Sequence, residues 1–315
     1  MRHWLVFALI TISISAIACN STPLSPSQTD NFDPGTNNNQ LAIDVIHNWS
    51  PYIMIHTPGG VENAYRDAVT ALIRSGNLRG VRVEIDKGGM GLNNSYVRMF
   101  NSMGIEVLGL ISNYYLFDQN IEQDIDQIFT AYPEIHYFQI GNEVTTILPK
   151  SGLTMSIEKY MAVLNRIYYY VQQRYPGRVV LLTQSTFGSG LYGPTELGKM
   201  INLGLTEMSP EKIIVAMNNY DPLNAGQYAG ILNGPLRSYR VWITETGISD
   251  PNLHISYVKN NYPLLRNHLR AERIYWYALW AVDNGEDAEY SLIKNPFSYP
   301  GYWKSPLFKI LTNTN

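Results

Sequence analysis

Two glutamates, Glu143 and Glu245, each stand directly after a short apolar stretch of the sequence. Glu143 closes the run Phe-Gln-Ile-Gly-Asn-Glu, and Glu245 follows the run Val-Trp-Ile-Thr. Two carboxyl groups that face one another can divide acid–base work, because one can be held protonated as a proton donor while the other stays ionised as a nucleophile. Cleavage of a glycosidic bond requires such a division. The pair therefore predicts glycoside hydrolysis, provided that the fold brings the two side chains together.

The apolar stretches before the two glutamates belong to an alternation of short apolar runs and longer segments with helical periodicity. This alternation is typical of βαβ units and of a parallel sheet. The predicted strands cover residues 52–55, 80–86, 105–111, 137–141, 179–183, 213–217, 241–244 and 274–279. The clearest helical patterns cover residues 61–72, 95–103, 121–132 and 156–174.

Eight strand–helix units indicate an α/β fold of the single (β/α)8 TIM barrel type. Residues 43–315 match the roughly 250 residues typical of such a barrel. An open doubly wound sheet would predict a glycine-rich phosphate loop after its first strand, and residues 57–60, Thr-Pro-Gly-Gly, lack that pattern. The active sites of barrels lie at the carboxyl ends of their strands. We therefore expect Glu143, ending strand four, and Glu245, ending strand seven, to converge there.

Predicted strand two alternates apolar and polar residues from Val81 to Asp86. In a barrel the apolar set faces the helices, and the polar set points inward near the active face. Arg82 belongs to the inward set and carries a charge that needs a partner when it is buried. Glu84 or Asp86 of its own strand offers such a partner, and this pairing is compatible with a further role of Arg82.

The chain resembles the clan A glycoside hydrolases, a superfamily of barrels that includes cellulase-like and mannanase-like enzymes. The resemblance covers essentially the whole barrel, and its most specific marks are the pair Asn142-Glu143 ending strand four and Glu245 ending strand seven. It implies a retaining mechanism on β-glycosidic bonds, with Glu143 as acid/base and Glu245 as nucleophile. By the same resemblance, Asn142 hydrogen-bonds the sugar 2-hydroxyl.

Further residues match the clan or depart from it. Arg82 resembles the arginine beside the nucleophile, Tyr220 the tyrosine that hydrogen-bonds it, and Trp280 the tryptophan that lies under the sugar. Asn218 stands two residues before Tyr220, where many cellulase-like members have a histidine, so the resemblance reaches the clan and leaves the family and the substrate open. His56, at the end of predicted strand one, is a candidate for lining the cleft, and a position away from the cleft is the alternative.

Aromatic residues also fall in the loops after predicted strands three, five and eight. The candidates in these loops are Tyr114, Tyr115, Phe187 and the stretch from Asp283 to Tyr290. Their rings are suited to stacking on sugars and equally to packing the loops. They are second-rank candidates for further sugar contacts.

The first 19 residues have the composition of a secretory signal peptide. The stretch Ala-Ile-Ala-Cys ending at Cys19 resembles the lipobox of bacterial lipoproteins, which implies a lipidated Cys19; an ordinary signal peptide cut nearby is the alternative. Residues 20–42 are rich in Ser, Thr, Pro and Asn, so we expect a flexible tether before the hydrolase domain, 43–315. The resemblance predicts a cell-envelope location, at the outer membrane in an organism with two membranes, because Asn20 and not an aspartate follows Cys19.

Composition narrows the range of partners. A net charge of −3 with 16% charged residues provides no basic field for nucleic acid or for anionic lipid, so we expect membrane contact through the N-terminal lipid alone. One cysteine and six scattered histidines suggest no metal-ligand cluster, and no cofactor is expected. The predicted partner is a carbohydrate substrate, and the predicted state is a monomer. The alternative function is a carbohydrate-binding or scaffold lipoprotein without turnover.

Overall fold

Eight parallel strands form a closed barrel in the computed structural model of the protein. The structure describes residues 43–47, 59–85, 95–146, 154–186, 192–281, 289–294 and 303–313. The predicted signal peptide, Cys19, the predicted tether, His56 and Phe187 lie outside these residues.

The barrel strands are β1 Ile43–His47, β2 Leu78–Ile85, β3 Glu106–Ile111, β4 Tyr137–Ile140, β5 Val180–Leu182, β6 Ile213–Asn218, β7 Val241–Thr246 and β8 Ala271–Trp276. Each strand pairs in parallel with the next, and β1 pairs with β8 to close the barrel. The predicted α/β fold class and the single (β/α)8 barrel are therefore confirmed.

The first strand lies earlier in the chain than the sequence predicted. Val45 of β1 is paired with Val81 of β2 and with Trp276 of β8, so Ile43–His47 closes the barrel. The prediction that residues 52–55 form the first strand was wrong, and those residues lie outside the described part of the chain. Both segments are short and contain apolar, β-branched residues. Periodicity alone cannot decide which of two such segments pairs with a strand on each side.

The helices are α1 Gly59–Arg74, α2 Ser95–Ser102, α3 Ile121–Ala131, α4 Ile157–Arg174, α5 Tyr192–Asn202, α6 Ala229–Asn233, α7 His254–Leu269 and α8 Pro306–Thr312. The first four confirm the four helical patterns of the sequence. Two short strands after the barrel, β9 Trp280–Ala281 and β10 Ile293–Lys294, pair in parallel with one another. Among the described helices, none combines the length and the apolar composition needed to cross a membrane.

Helix α4 illustrates how local sequence sets an element of the ring. The Ser156 side chain caps its first turn by accepting a hydrogen bond from the Lys159 backbone N–H at 3.3 Å. Its buried residues recur every three or four positions, as on one face of a helix; they are Ile157, Tyr160, Met161, Leu164, Ile167, Tyr168 and Val171. Pro176 follows shortly after the last turn and prevents further helix.

Two apolar layers support the strands. The larger layer fills the space between the sheet and the helices and includes Val81, Val83 and Ile85, as the alternation in β2 predicted. The smaller layer fills the barrel interior, with Trp242 and Tyr275 completely buried and the Tyr137 ring 4.8 Å from that of Trp242. This packing makes the barrel a solid support for side chains above it and not a pore.

Gly141 links β4 to the Asn-Glu pair that follows it. Its φ of +76° is in the left-handed region that favours glycine. A Cβ at this position would lie 2.7 Å from Leu116 Cδ1 and 2.9 Å from Val144 Cγ1. The backbone of the strand end is therefore closely packed against the loop that follows β3.

We expect Gly141→Ala to lower the free energy of unfolding by about 2–4 kcal/mol, because left-handed strain and overpacking both act there. Gly104→Ala is the matched control, since Gly104 has a φ of +74° and nothing within 4 Å of an added Cβ. Left-handed strain alone should lower the free energy of unfolding of Gly104→Ala by about 1–2 kcal/mol. Urea unfolding of both variants checks the difference, and equal losses would contradict it.

Candidate active site

The two glutamates lie at the carboxyl-terminal mouth of the barrel. Glu143 follows β4 by three residues, and Glu245 is the penultimate residue of β7. Asn218 ends β6 and is paired with Glu245 across a register shift between β6 and β7. Parallel strands therefore place these side chains on the same face, although they are far apart in sequence.

Glu245 is held by hydrogen bonds at both carboxylate oxygens. Arg82 Nη1 donates to Glu245 Oε1 at 2.7 Å, and the Tyr220 hydroxyl donates to Glu245 Oε2 at 2.9 Å. Arg82 is 2% exposed and also donates to the Thr244 carbonyl at 3.2 Å. Of the partners that the sequence left open for Arg82, the structure shows a salt bridge with Glu245. A buried guanidinium thus compensates the negative charge of this carboxylate.

Glu143 has a different environment. Burial and, next, the negative charge of Glu245 raise its pKa to about 7. Two effects act in the opposite direction: Asn218 Nδ2 donates to Glu143 Oε1 at 2.7 Å, and the positive charge of Arg82 is near. A carboxyl group with a pKa near neutrality can hold a proton and release it at the same pH, as a general acid must.

The backbone around Glu143 is fixed by neighbouring loops. Asn142 exchanges two hydrogen bonds with the Asn113 side chain: its N–H donates to Asn113 Oδ1 at 2.8 Å, and its carbonyl accepts from Asn113 Nδ2 at 2.7 Å. The Glu143 N–H donates to the Ser185 carbonyl at 3.2 Å. Glu143 itself has a φ of +45°, which is uncommon for a residue other than glycine. Such a conformation persists only where its surroundings hold it.

Three tyrosine rings stand together, and one of them, that of Tyr220, carries the hydroxyl that binds Glu245. Tyr220 makes edge-on contacts with Tyr277 at 6.3 Å and with Tyr290 at 5.7 Å, and the last two lie 6.1 Å apart. Burial and the negative charge of Glu245 raise the pKa of Tyr220 well above its ordinary value. This shift favours the protonated hydroxyl, which is the form that donates a hydrogen bond to the carboxylate.

The remaining predicted residues are placed as follows. Trp280 does not end strand eight, because β8 stops at Trp276 and Trp280 begins β9; its side chain is outside the described part of the structure. The prediction of residues 274–279 as strand eight was thus displaced by three residues. Tyr115 is buried in the core, whereas Tyr114 is 41% exposed. Sequence reasoning overlooked Tyr277 and also Thr244, although Thr244 adjoins the selected Glu245.

Among the residues that the structure describes, no group of three or more His, Cys, Asp or Glu side chains is placed to hold a metal ion. Several polar groups of the mouth bind one another through carboxylate, amide, hydroxyl and guanidinium groups. The chemistry that these described groups can perform is acid–base and nucleophilic chemistry.

The fold of this chain is similar to that of solved glycosidases. An endo-β-1,6-glucanase matches with a TM-score of 0.59 at 11% identity, over 86% of this chain and 75% of its own. A GH51 arabinofuranosidase from Xanthomonas axonopodis pv. citri gives 0.57 at 11% identity, over 87% and 72%. A broad-specificity endoglucanase from Ruminococcus champanellensis, with bound cellotriose, gives 0.53 at 12%, over 87% and 96%. Neither a protein-family model nor a curated protein matches the sequence.

At these identities, the similarity shows a shared fold. The chain has a TIM-barrel architecture, as do these neighbours, which are named as glucanases and as an arabinofuranosidase. One barrel therefore serves different sugars in these proteins, and the fold does not select a substrate.

The raised pKa of Glu143 makes a prediction for stability. Glu143 binds more protons in the folded state than in the unfolded chain between its ordinary pKa of 4.5 and about 7, so its contribution to stability falls as pH rises through that window. Glu143→Gln removes the charge that must otherwise be buried. We expect this variant to exceed the wild type by about 1–3 kcal/mol in free energy of unfolding at about pH 8, and to equal it near pH 4.

Glu245→Gln provides the contrast in the same urea-unfolding series. It leaves the buried Arg82 without its ionised partner, and we expect a loss of roughly 2–4 kcal/mol at about pH 8. If the two substitutions changed stability in the same direction at that pH, the unlike environments of the two carboxyl groups would be disproved.

Proposed function

We propose that the protein is a retaining glycoside hydrolase that cleaves β-glycosidic bonds, with Glu143 as acid/base and Glu245 as nucleophile. The observation that carries this proposal is the difference between the two carboxyl environments. Glu245 is ion-paired with Arg82 and hydrogen-bonded by Tyr220, whereas burial and the charge of Glu245 raise the pKa of Glu143 to about 7. Pairs of carboxyl groups with separated protonation states are the means by which glycosidic bonds are broken at neutral pH.

In the first step, the protonated Glu143 carboxyl donates its proton to the glycosidic oxygen while the Glu245 carboxylate attacks the anomeric carbon. The bond between that carbon and the glycosidic oxygen breaks, and the leaving sugar departs as an alcohol. Glu245 becomes an ester of the remaining sugar and loses its negative charge. That charge is one of the causes that raise the pKa of Glu143.

In the second step, Glu143 acts as a base. With the charge of Glu245 removed by esterification, the pKa of Glu143 falls, and its carboxylate accepts a proton from a water molecule that attacks the anomeric carbon. The bond to Glu245 breaks and both carboxyl groups return to their starting states. Asn142, next to Glu143, is proposed to hydrogen-bond the 2-hydroxyl of the sugar, and Trp280 to lie beneath that sugar.

An activity screen against a panel of β-glucans, mannans, galactans and xylans tests the proposal. The panel includes a β-1,6-glucan, because one structural neighbour is an endo-β-1,6-glucanase. We expect the wild type to release sugars from at least one polymer. Glu143→Ala should lower kcat/KM by roughly 10²- to 10⁴-fold, as the loss of a general acid does. Glu245→Ala should release no measurable product, and Glu211→Ala, at an exposed glutamate, should match the wild type.

The anomeric form of the first product distinguishes retention from inversion, and nuclear magnetic resonance spectra of the reaction mixture record it. Retention of the β form is expected, and release of the α form would overturn the assignment of Glu245 as nucleophile. Full activity of Glu245→Ala would contradict the catalytic proposal as a whole. Glycan binding by the wild type without any product would favour the carbohydrate-binding alternative.

The location of the protein is a second part of the proposal. The lipobox-like stretch ending at Cys19 and the polar residues 20–42 support a lipid-anchored protein of the cell envelope, with the barrel tethered outside the cytoplasm. Labelling of expressing bacteria with radioactive palmitate tests this. Wild type should take up the label and Cys19→Ala should not, whereas an unlabelled wild type would contradict the anchor.

A further inference from the structure

A chain of hydrogen bonds runs beneath the two glutamates across four strand ends. Gln139 Nε2 donates to Ser185 Oγ at 2.7 Å, Ser185 Oγ and Thr244 Oγ1 are 2.5 Å apart, and Thr244 Oγ1 lies 3.0 Å from Asn218 Oδ1. All four side chains are completely buried. The chain ends at the acid/base, because Asn218 Nδ2 donates to Glu143 Oε1.

The direction of donation along this chain of hydrogen bonds is set at its Gln139 end. The Gly141 carbonyl can only accept, so the Gln139 amide must turn its Nε2 group towards that oxygen, 3.0 Å away. The second Nε2 hydrogen then occupies the Ser185 oxygen, and the Ser185 hydroxyl proton is free to point at Thr244.

The same logic continues to Glu143. Thr244 accepts from Ser185 and can give its own proton to Asn218 Oδ1; the Met217 carbonyl, at 3.3 Å, is the longer of its two possible acceptors. With its oxygen so occupied, the Asn218 amide presents both Nδ2 hydrogens, one to Glu143 Oε1 and one to Asn142 Oδ1 at 3.2 Å. A reversed amide would instead turn an oxygen towards the carboxyl group.

We infer that Thr244 and Ser185 are positioning residues, which fix the orientation of the Asn218 amide and through it the hydrogen bonding of Glu143. The inference rests on the proposed function only for the role of Glu143 as acid/base; the hydrogen-bond chain is independent of it. Neither hydroxyl touches the reacting atoms. Both act because a hydroxyl can accept and donate at once, a property that no apolar residue of the same shape has.

The inference has a measurable consequence for protonation. Donation from Asn218 stabilises the ionised form of Glu143 and lowers its pKa against the larger effect of burial. If the amide loses its fixed orientation, that opposing effect is lost and the pKa of Glu143 rises further. The expected displacement is about half a unit to one and a half units, since a hydrogen bond to a charged group is being removed.

The experiment is a pH titration of the Glu143 carboxyl carbon in the full-length protein labelled with ¹³C-glutamate, assigned by its disappearance in Glu143→Gln. Thr244→Val and Thr244→Ala should both raise the titration midpoint, and Thr244→Ser should restore it to the wild-type value. Thr183→Val is the matched control. It removes another completely buried hydroxyl at a strand end, one that accepts from the Ala216 N–H and lies outside this chain.

An unchanged midpoint in both Thr244 variants would overturn the inference, as would an equal displacement in Thr183→Val or a failure of Thr244→Ser to restore the wild-type value. The titration needs no substrate, so its outcome is separate from that of the catalytic proposal. If Glu143→Ala kept full activity while Thr244→Val displaced the midpoint, the hydrogen-bond chain would stand and the catalytic role of Glu143 would fall.

Discussion

The ion pair between Arg82 and Glu245 crosses the barrel mouth in a place where water is largely excluded, and the other features of the site depend on it. A guanidinium that is 2% exposed needs an ionised partner, and Glu245 supplies one at 2.7 Å. Burial and, next, the negative charge of Glu245 raise the pKa of Glu143 to about 7. The ion pair thus supplies the charge that, added to burial, distinguishes the environments of the two glutamates.

The barrel makes this arrangement rigid. Trp242 and Tyr275 fill its interior below the mouth, and the polar side chains stand on that packed layer. Above that layer, hydrogen bonds hold the backbone at Glu143 in its positive φ. They involve the N–H of Glu143 itself and both the N–H and the carbonyl of Asn142. The proposed catalytic pair would need such preorganisation, because small displacements of reacting groups are costly to the rate.

Some of this could be read from the sequence, and the reason is topological. Parallel strand ends converge whatever the loops between them contain, so Glu143, Glu245 and Arg82 could be placed at one mouth from strand order alone. The same reasoning failed for the first strand, because two similar apolar runs compete and only pairing with both β2 and β8 selects Ile43–His47. It also displaced β8, whose apolar pattern continues beyond the point where the chain leaves the barrel at Trp276. The contacts among Ser185, Thr244 and Asn218 could not be foreseen, since side-chain hydrogen bonds do not follow from strand order and a register shift between β6 and β7 falls just before Asn218.

The central claim is that Glu245 forms a covalent bond to the sugar, and trapping that bond tests it most directly. The probe is an activated 2-deoxy-2-fluoro glycoside of the sugar that the wild type releases, which slows the second step so that the ester accumulates. Mass spectrometry of the digested protein should then show the added sugar on the peptide that contains Glu245, and none in Glu245→Gln. The label on a different residue, or steady turnover of the natural substrate with inversion and no trapped ester, would contradict the account.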